Sequence, residues 1–259
     1  MSIALRDQAG PFETAARAHE INSHHLEAAE PRVISAEHGY ELWARSYDQE
    51  PNPLLALEER LLTPILPNLN GRMVLDLACG TGRWLAALML RGAISGIGID
   101  FSQAMLAAAG SKPLLCGRLV RADCLTTPLP RAAVDVVVCS FAIGHISKIE
   151  ALAAELARVA RPHAAIYVSD MHPEAYRRGW RTGFRSHCRP VEISTFCHSL
   201  TDVHDAFEAQ GLELAECIEG RLEEPERSIF ERAGRLDRFQ QVTDIPAIFV
   251  SQFRQPDPA

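Results

Sequence analysis

Disulfide pairing, secretion and membrane insertion each leave marks that this sequence does not carry. No CxxC pair occurs among the seven cysteines, which stand at 79, 116, 124, 139, 188, 197 and 217. An odd, scattered set in a chain with its own apolar core does not build a disulfide framework. Several of them lie inside apolar runs, where Cys behaves as a small hydrophobe. The opening residues, MSIALRDQAGPFETAARAHE, are charged throughout and lack the apolar core of a signal peptide. No stretch approaches the ~18–20 apolar residues that span a bilayer. These absences point to the reducing cytoplasm and away from a membrane. A surplus of positive charge is missing too. The net charge of -7 argues against a nucleic-acid partner, because a phosphate backbone calls for a clustered positive field. There are no internal repeats and no low-complexity segments. The His187-Cys188 and Cys197-His198 pairs fit no common zinc spacing, so no metal is expected.

What is there is an ordinary α/β text. The 259 residues, 47% apolar and 23% charged, suffice for one domain of usual size plus a lid. Residues 1 to about 35 read as one or two loosely packed helices, broken at Pro31. From His38 to Pro67 the text is helical and aromatic, with Tyr40, Trp43 and Tyr47 followed by Leu54, Leu57, Leu61 and Leu62. After Gly71 short apolar runs alternate with helical segments. Strands are predicted at 73–77, 94–99, 119–122, 134–139 and 165–169, with two more at 212–218 and 246–253. Ser102 reads as a helix N-cap, and Ser147 with Glu150 as an S-x-x-E capping box. Continuous apolar strands between helices indicate a parallel sheet covered on both faces. The expected fold is a doubly wound, mostly parallel seven-stranded α/β sheet of Rossmann-like type. A helical cap would occupy 1–70, a nucleotide-binding core 71–170, a lid insert 171–200 after the fifth strand, and the end of the core 201–259.

Asp76-Leu77-Ala78-Cys79-Gly80-Thr81-Gly82 joins the first of these core strands to a helix. Glycine lets the backbone approach a ligand, and the helix N-terminus favours negative charge. A dinucleotide loop wants a small residue three places beyond Gly82, where helix and strand pack closely. Leu85 stands there. Asp76 would repel a pyrophosphate but attract the α-ammonium of an amino acid. The loop therefore suits a nucleoside that carries an amino acid.

VLDLACGTGRW resembles the first motif of the class I S-adenosylmethionine-dependent methyltransferases. The match continues in order through GIDFSQAML (98–106), ADCLTTPLP (122–130), VDVVVCSFAIGHI (134–146) and LARVARPHAAIYVSD (156–170). It covers roughly 38–170 and, more loosely, the tail, where DIPAIFVSQFR looks like a final antiparallel strand. The resemblance implies S-adenosyl-L-methionine as cofactor and S-adenosyl-L-homocysteine as its product. It implies that Asp100 accepts from the ribose hydroxyls and Asp123 from the adenine amino group. Cys124 and Leu125 would flank the ring, with Phe101 and Met105 as apolar walls. Ser140 and Phe141 would lie near the methionine moiety, under Tyr47 and Trp43.

A sulfonium donor needs no metal, and transfer needs chiefly alignment. A base is needed only for a poorly ionised acceptor. His145 and His172, both at carboxyl ends of predicted strands, are the candidates; His172 also suits a helix N-cap before Pro173. In the insert, Tyr176, Trp180 and Phe184 alternate with Arg177, Arg181 and Arg185 at every fourth residue. On a helix these form aromatic and basic stripes, although Gly179 and Gly183 would weaken it. The four residues expected to touch the acceptor are Tyr176, Trp180, Arg181 and Phe184. The implied activity is methyl transfer to O, N or C of a small organic molecule. An RNA or protein methyltransferase, a dehydrogenase on the same fold, and a non-catalytic S-adenosylmethionine-binding scaffold remain as alternatives. A homodimer is left open.

Overall fold

The computed structural model describes residues 2–3, 31–187 and 189–257. The helices expected before Pro31 lie outside the described residues. In chain order the elements are β1 (Ser2–Ile3), β2 (Arg32–Ile34), α1 (Ala36–Trp43), α2 (Pro53–Leu62), β3 (Met73–Leu77), α3 (Arg83–Leu90), β4 (Ser95–Asp100), α4 (Gln103–Gly110), β5 (Leu119–Arg121), β6 (Val134–Ser140), α5 (Ile149–Val159) and β7 (Ala160–Met171). There follow α6 (Pro173–Arg177), β8 (Thr182–Ser186), β9 (Arg189–Ile193), α7 (Leu200–Glu208), β10 (Glu213–Arg221), α8 (Glu224–Arg232), α9 (Leu236–Val242) and β11 (Pro246–Arg254).

Seven strands form the main sheet in the order β10-β11-β7-β6-β3-β4-β5. The pairs from β7 to β5 are parallel, and β11 inserts antiparallel between β7 and β10. All seven predicted strands are present. The chain winds outward from β3 to β5, then returns to β6 on the other side of β3. That reversal opens a crevice at the carboxyl ends of β3 and β6, where open α/β sheets bind ligands. Apolar side chains fill both faces: Val74, Trp84, Leu85 and Val136 on one, Leu75, Ile99, Val137 and Leu156 on the other.

The helix and strand next to the glycine loop approach closely by an unexpected route. Leu85 is fully buried on α3. The room for it comes from glycines in β4: a Cβ on Gly96 would lie 2.7 Å from Leu85 Cδ1, and one on Gly98 3.1 Å from Leu85 Cδ2. The small residue that the helix lacks is supplied by the strand beneath it.

Three local expectations are corrected. Helix α5 starts at Ile149 with Lys148 as N-cap and no side-chain cap, so Ser147 and Glu150 form no capping box. Residues 32–34, expected in a helix, are extended and pair parallel with β9, since the β-branched Val33 and Ile34 favour a strand. The insert is not one amphipathic helix. It stops as a helix at Arg177, turns at Gly179 in the left-handed region (φ 87) and becomes the β8–β9 hairpin. Gly183 permits that pairing, because a Cβ there would lie 2.4 Å from the Val191 carbonyl oxygen. With β1 and β2 the hairpin makes a second sheet, ordered β1-β8-β9-β2, on which α1 packs.

Candidate functional site

A cavity of about 370 Å³ opens at the crevice between β3 and β6, within the range of small-molecule sites. Its floor is the loop after β3. Asp76, Ala78, Cys79, Gly80 and Thr81 all line it. Gly82 does not: it starts α3 in the left-handed region (φ 74), and a Cβ there would lie 2.4 Å from Leu115 Cδ1. Its role is to let loop and helix meet.

Asp76 is buried, and one of its carboxylate oxygens accepts from the Leu85 N–H at 2.8 Å. Burial pushes its pKa up to about 7, against the pull of Leu85 and Arg83. Asp100, at the end of β4, uses one oxygen to accept from Gly80 N–H at 2.7 Å and the other from Ser102 N–H at 2.8 Å. Each carboxylate oxygen has a further lone pair, so the group holds the loop and still faces the cavity. Burial raises its pKa as well. Phe101, Met105, Asp123, Cys124 and Leu125 line the flank formed by the ends of β4 and β5. Asp123 orders its own turn by accepting from Leu125 N–H at 2.9 Å. Burial, with Asp123 beside it, pushes the Cys124 thiol up to about 12, so the thiol is uncharged at neutral pH.

Ser140, Phe141 and His145 line the opposite flank, after β6. Ala78 (φ 56) and Phe141 (φ 51), which follow the two central strands, both hold left-handed backbone without being glycine. Such conformations cost about 1–3 kcal/mol each and gather at functional sites. Tyr47 closes this flank from the N-terminal side, its phenol pushed up to about 12 by burial.

The remaining residues expected here are placed elsewhere. Trp43 is 1% exposed and sits behind Tyr47, stacked on Phe184 at 4.9 Å. Trp180 and Phe184 belong to the same core. Arg181 lies 4.0 Å over the Tyr176 ring and donates to the carbonyls of Tyr176 and Trp180 at 2.8 and 2.7 Å. None of these four lines the cavity; the aromatic stripe of the insert is inward packing. His172 is the N-cap of α6: its Nδ1 accepts from Glu174 N–H at 3.0 Å, and Nε2 lies 3.0 Å from Glu219. It does not line the cavity.

Three important residues escaped the sequence reading. Arg83 lines the cavity. Its Nη2 donates to buried Glu58 of α2 and, at 3.3 Å, to Ser140 Oγ. Glu58 also accepts from Trp84 Nε1 at 3.0 Å and from Ser169 Oγ. Tyr40 lines the cavity and meets His145. The signals were present. Arg83 is a cation at a helix N-terminus, where the dipole disfavours it unless a carboxylate compensates. Glu58 interrupts the apolar stripe of Leu54, Leu57 and Leu61. Tyr40 and Trp43 share one face of α1, and Tyr47, in the turn after it, continues the same spacing. The loop is also clamped from above: Thr81 Oγ1 donates to Asp48 at 2.7 Å, and Lys112 Nζ bridges Asp48 at 2.7 Å and the Thr81 carbonyl at 2.6 Å.

Residues 74–163 match the methyltransferase-domain family, a stretch that contains β3 through α5 and both flanks of the cavity. Over that stretch the chain is similar to the methyltransferase domain. The chain is 34% identical over 109 residues to the 2-phytyl-1,4-naphtoquinone methyltransferase of Synechococcus elongatus, covering 39% of this chain and 47% of that one. It is 29% identical over 168 residues to the ubiquinone biosynthesis O-methyltransferase of Pseudomonas fluorescens, covering 60% and 67%. The chain spans about half the length, or less, of the first curated relatives it matches. In fold it is similar to an S-adenosylmethionine dependent methyltransferase from Mesorhizobium loti, with a TM-score of 0.62 at 18% identity over 78% of this chain and all of that one. The cofactor of this family is S-adenosylmethionine.

The cavity of the protein fits that molecule. Asp100 offers a carboxylate to a ribose, and apolar walls flank a slot that ends at Asp123. Arg83 brings a cation to the β6 side, where an amino-acid carboxylate would need one. Among the described residues no cluster of three or more His, Cys, Asp or Glu side chains could hold a metal, and no helix is long and apolar enough to cross a membrane. Cys188, half of one suspected pair, lies outside the described residues.

Proposed function

We propose that this protein moves a methyl group from S-adenosylmethionine to a small organic acceptor in the cytosol. The observation that carries the reading is the cavity itself. It runs from Asp123 and Phe101 past Asp100 and the glycine loop, and continues to Tyr40, His145 and Ser147. Asp100, Asp123 and Arg83 would hold the donor, with Met105, Cys124 and Leu125 against its base. Bound there, it supplies a methyl group on a sulfonium centre, already activated for displacement. The residues of this chain do the rest. Tyr47 and the Asp48 clamp exclude water above the loop. Phe141 shapes the wall beside the reacting end.

The reading of a small acceptor rests on the size of the cavity, about 370 Å³ in all. Beyond the part assigned to the donor it is lined by Tyr40, His145, Ile146 and Ser147, a surface that suits a ring or short chain. The net charge of -7 supports the same reading. Of the relatives named above, one is by name a 2-phytyl-1,4-naphtoquinone methyltransferase and another an O-methyltransferase of ubiquinone biosynthesis. Calorimetric titration with S-adenosylmethionine, S-adenosylhomocysteine and NADH tests the donor half, after a check for co-purified ligand. Micromolar binding of the two adenosyl ligands and none of NADH is expected. Binding of NADH alone would replace this reading with the dehydrogenase one.

A further inference from the structure

Two side chains from distant parts of the chain meet at the acceptor end of the cavity. The Tyr40 hydroxyl of α1 lies 2.8 Å from His145 Nε2. The rings meet edge to face, with centroids 5.2 Å apart and planes at 85°. Burial sets their charge states. It lowers His145 to about 4 and raises Tyr40 well above the ordinary 10, helped by Tyr47, Asp170 and Asp100. At neutral pH both groups are uncharged, and a single hydrogen lies between them.

His145 Nδ1 is buried and makes no hydrogen bond among the described residues. With the ring hydrogen on Nδ1, Nε2 accepts from Tyr40. The Tyr40 oxygen keeps a lone pair for the cavity.

Resting on the methyl-transfer reading above, we propose that Tyr40 is a catalytic residue for a hydroxyl acceptor, a phenol or an enol, and that His145 works through it. The acceptor O–H donates to the Tyr40 oxygen. As the acceptor oxygen bonds the methyl carbon, the carbon–sulfur bond breaks and its electron pair stays on sulfur. The acceptor's proton passes to the Tyr40 oxygen, and the Tyr40 proton passes to His145 Nε2. The positive charge lost from sulfur reappears on the imidazolium. The buried site thus carries the same net charge before and after, so a ring whose protonation burial disfavours in the resting protein can take the proton during transfer. An ammonium acceptor would bring a second positive charge beside the sulfonium, and this neutral pair offers no negative charge to offset it.

The first readout needs no acceptor. Protein labelled with 15N in the histidine rings and saturated with S-adenosylhomocysteine reports which nitrogen bears hydrogen. His145, assigned by loss of its signals in His145→Gln, is expected as the neutral Nδ1–H tautomer, shifting toward Nε2–H in Tyr40→Phe. An Nε2–H ring in the unsubstituted protein would overturn the proposal. The second readout is transfer of a radiolabelled methyl group to catechol and to 4-nitrocatechol. Tyr40→Phe is expected to lose roughly 100-fold in kcat on catechol, the usual scale of general-base help, with KM and donor affinity unchanged. It should lose much less on 4-nitrocatechol, whose hydroxyl is largely ionised already. Equal losses on both would make Tyr40 a packing residue and sink the idea. Donor binding without methylation of either catechol would overturn the hydroxyl class while leaving the donor site standing. Failure to bind S-adenosylhomocysteine would remove the donor reading, and this one with it.

Discussion

The Asp76 carboxylate accepts from the Leu85 N–H at 2.8 Å, and so ties the end of the first core strand to the first turn of the helix that follows the glycine loop. One buried acid thus orders the whole turn. Its environment exacts a cost that depends on pH. Burial raises its pKa from 3.8 to about 7.

An acid whose folded pKa is raised stabilises the fold in its protonated form. That contribution is complete below about 3.8 and is lost as pH rises toward about 7. Asp76→Asn keeps an oxygen for Leu85 but cannot ionise. The variant should match the parent near the acid end of this window and exceed it above, by up to about 4 kcal/mol. Urea unfolding of the ligand-free proteins across the window measures this; a constant difference would show that Asp76 does not titrate there.

Asp100→Ala should weaken S-adenosylhomocysteine binding by roughly 1.5–3 kcal/mol, the range for hydrogen bonds to a charged group. Part of the loss would come from the freed Gly80 and Ser102 N–H groups. Asp100→Asn separates the two contributions. Unchanged affinity by calorimetry in Asp100→Ala would end the ribose assignment.

Gly96→Ala should destabilise the protein by about 1–3 kcal/mol, because its Cβ would meet both Leu85 and Val74 within 2.8 Å. Leu85→Ala should cost about 2–5 kcal/mol by itself. Combined, the two should cost less than their sum, since each relieves the other. Strict additivity in a denaturation cycle would mean that the contact is not shared.

Glu58→Ala leaves the Arg83 guanidinium, the Trp84 indole and the Ser169 hydroxyl without their common acceptor. A loss of about 3–5 kcal/mol is expected, the cost of orphaning a buried charge. Glu58→Gln, which still accepts, should lose less. Thermal unfolding of the two variants side by side decides it.

Phe184→Ala should cost about 3–5 kcal/mol of stability, because the ring stacks on Trp43 in the core. Donor affinity should not change. A stable variant that fails to turn over would restore the insert as a lid in contact with the acceptor.

The main sheet was legible in the sequence because its central strands are buried on both faces and read as unbroken apolar runs. Val134 to Cys139 could hardly be anything else beside a loop such as Cys79-Gly80-Thr81-Gly82. The donor-side residues were legible for the same reason: they sit where strands end, and strand ends follow from the runs. The insert was not. A spacing of four between Tyr176, Trp180 and Phe184 describes a helix only if the backbone stays helical. Gly179 and the pairing of β8 with β9 decide otherwise, and that pairing is a tertiary fact. Arg83 and Glu58 were hidden in another way. Each gives a local signal, a cation at a helix start and an acid in an apolar stripe, but the pairing that joins them lies in a contact between two helices.

Helix α1, which carries Tyr40, rests on α4 and on β8 and β9 of the small sheet. The far wall of the cavity is therefore held in part by a hairpin outside the cavity lining. Changes in that hairpin would tilt the wall and alter which molecules fit, with every lining side chain left as it is. A transplant of the lining residues alone would carry the chemistry without the fit.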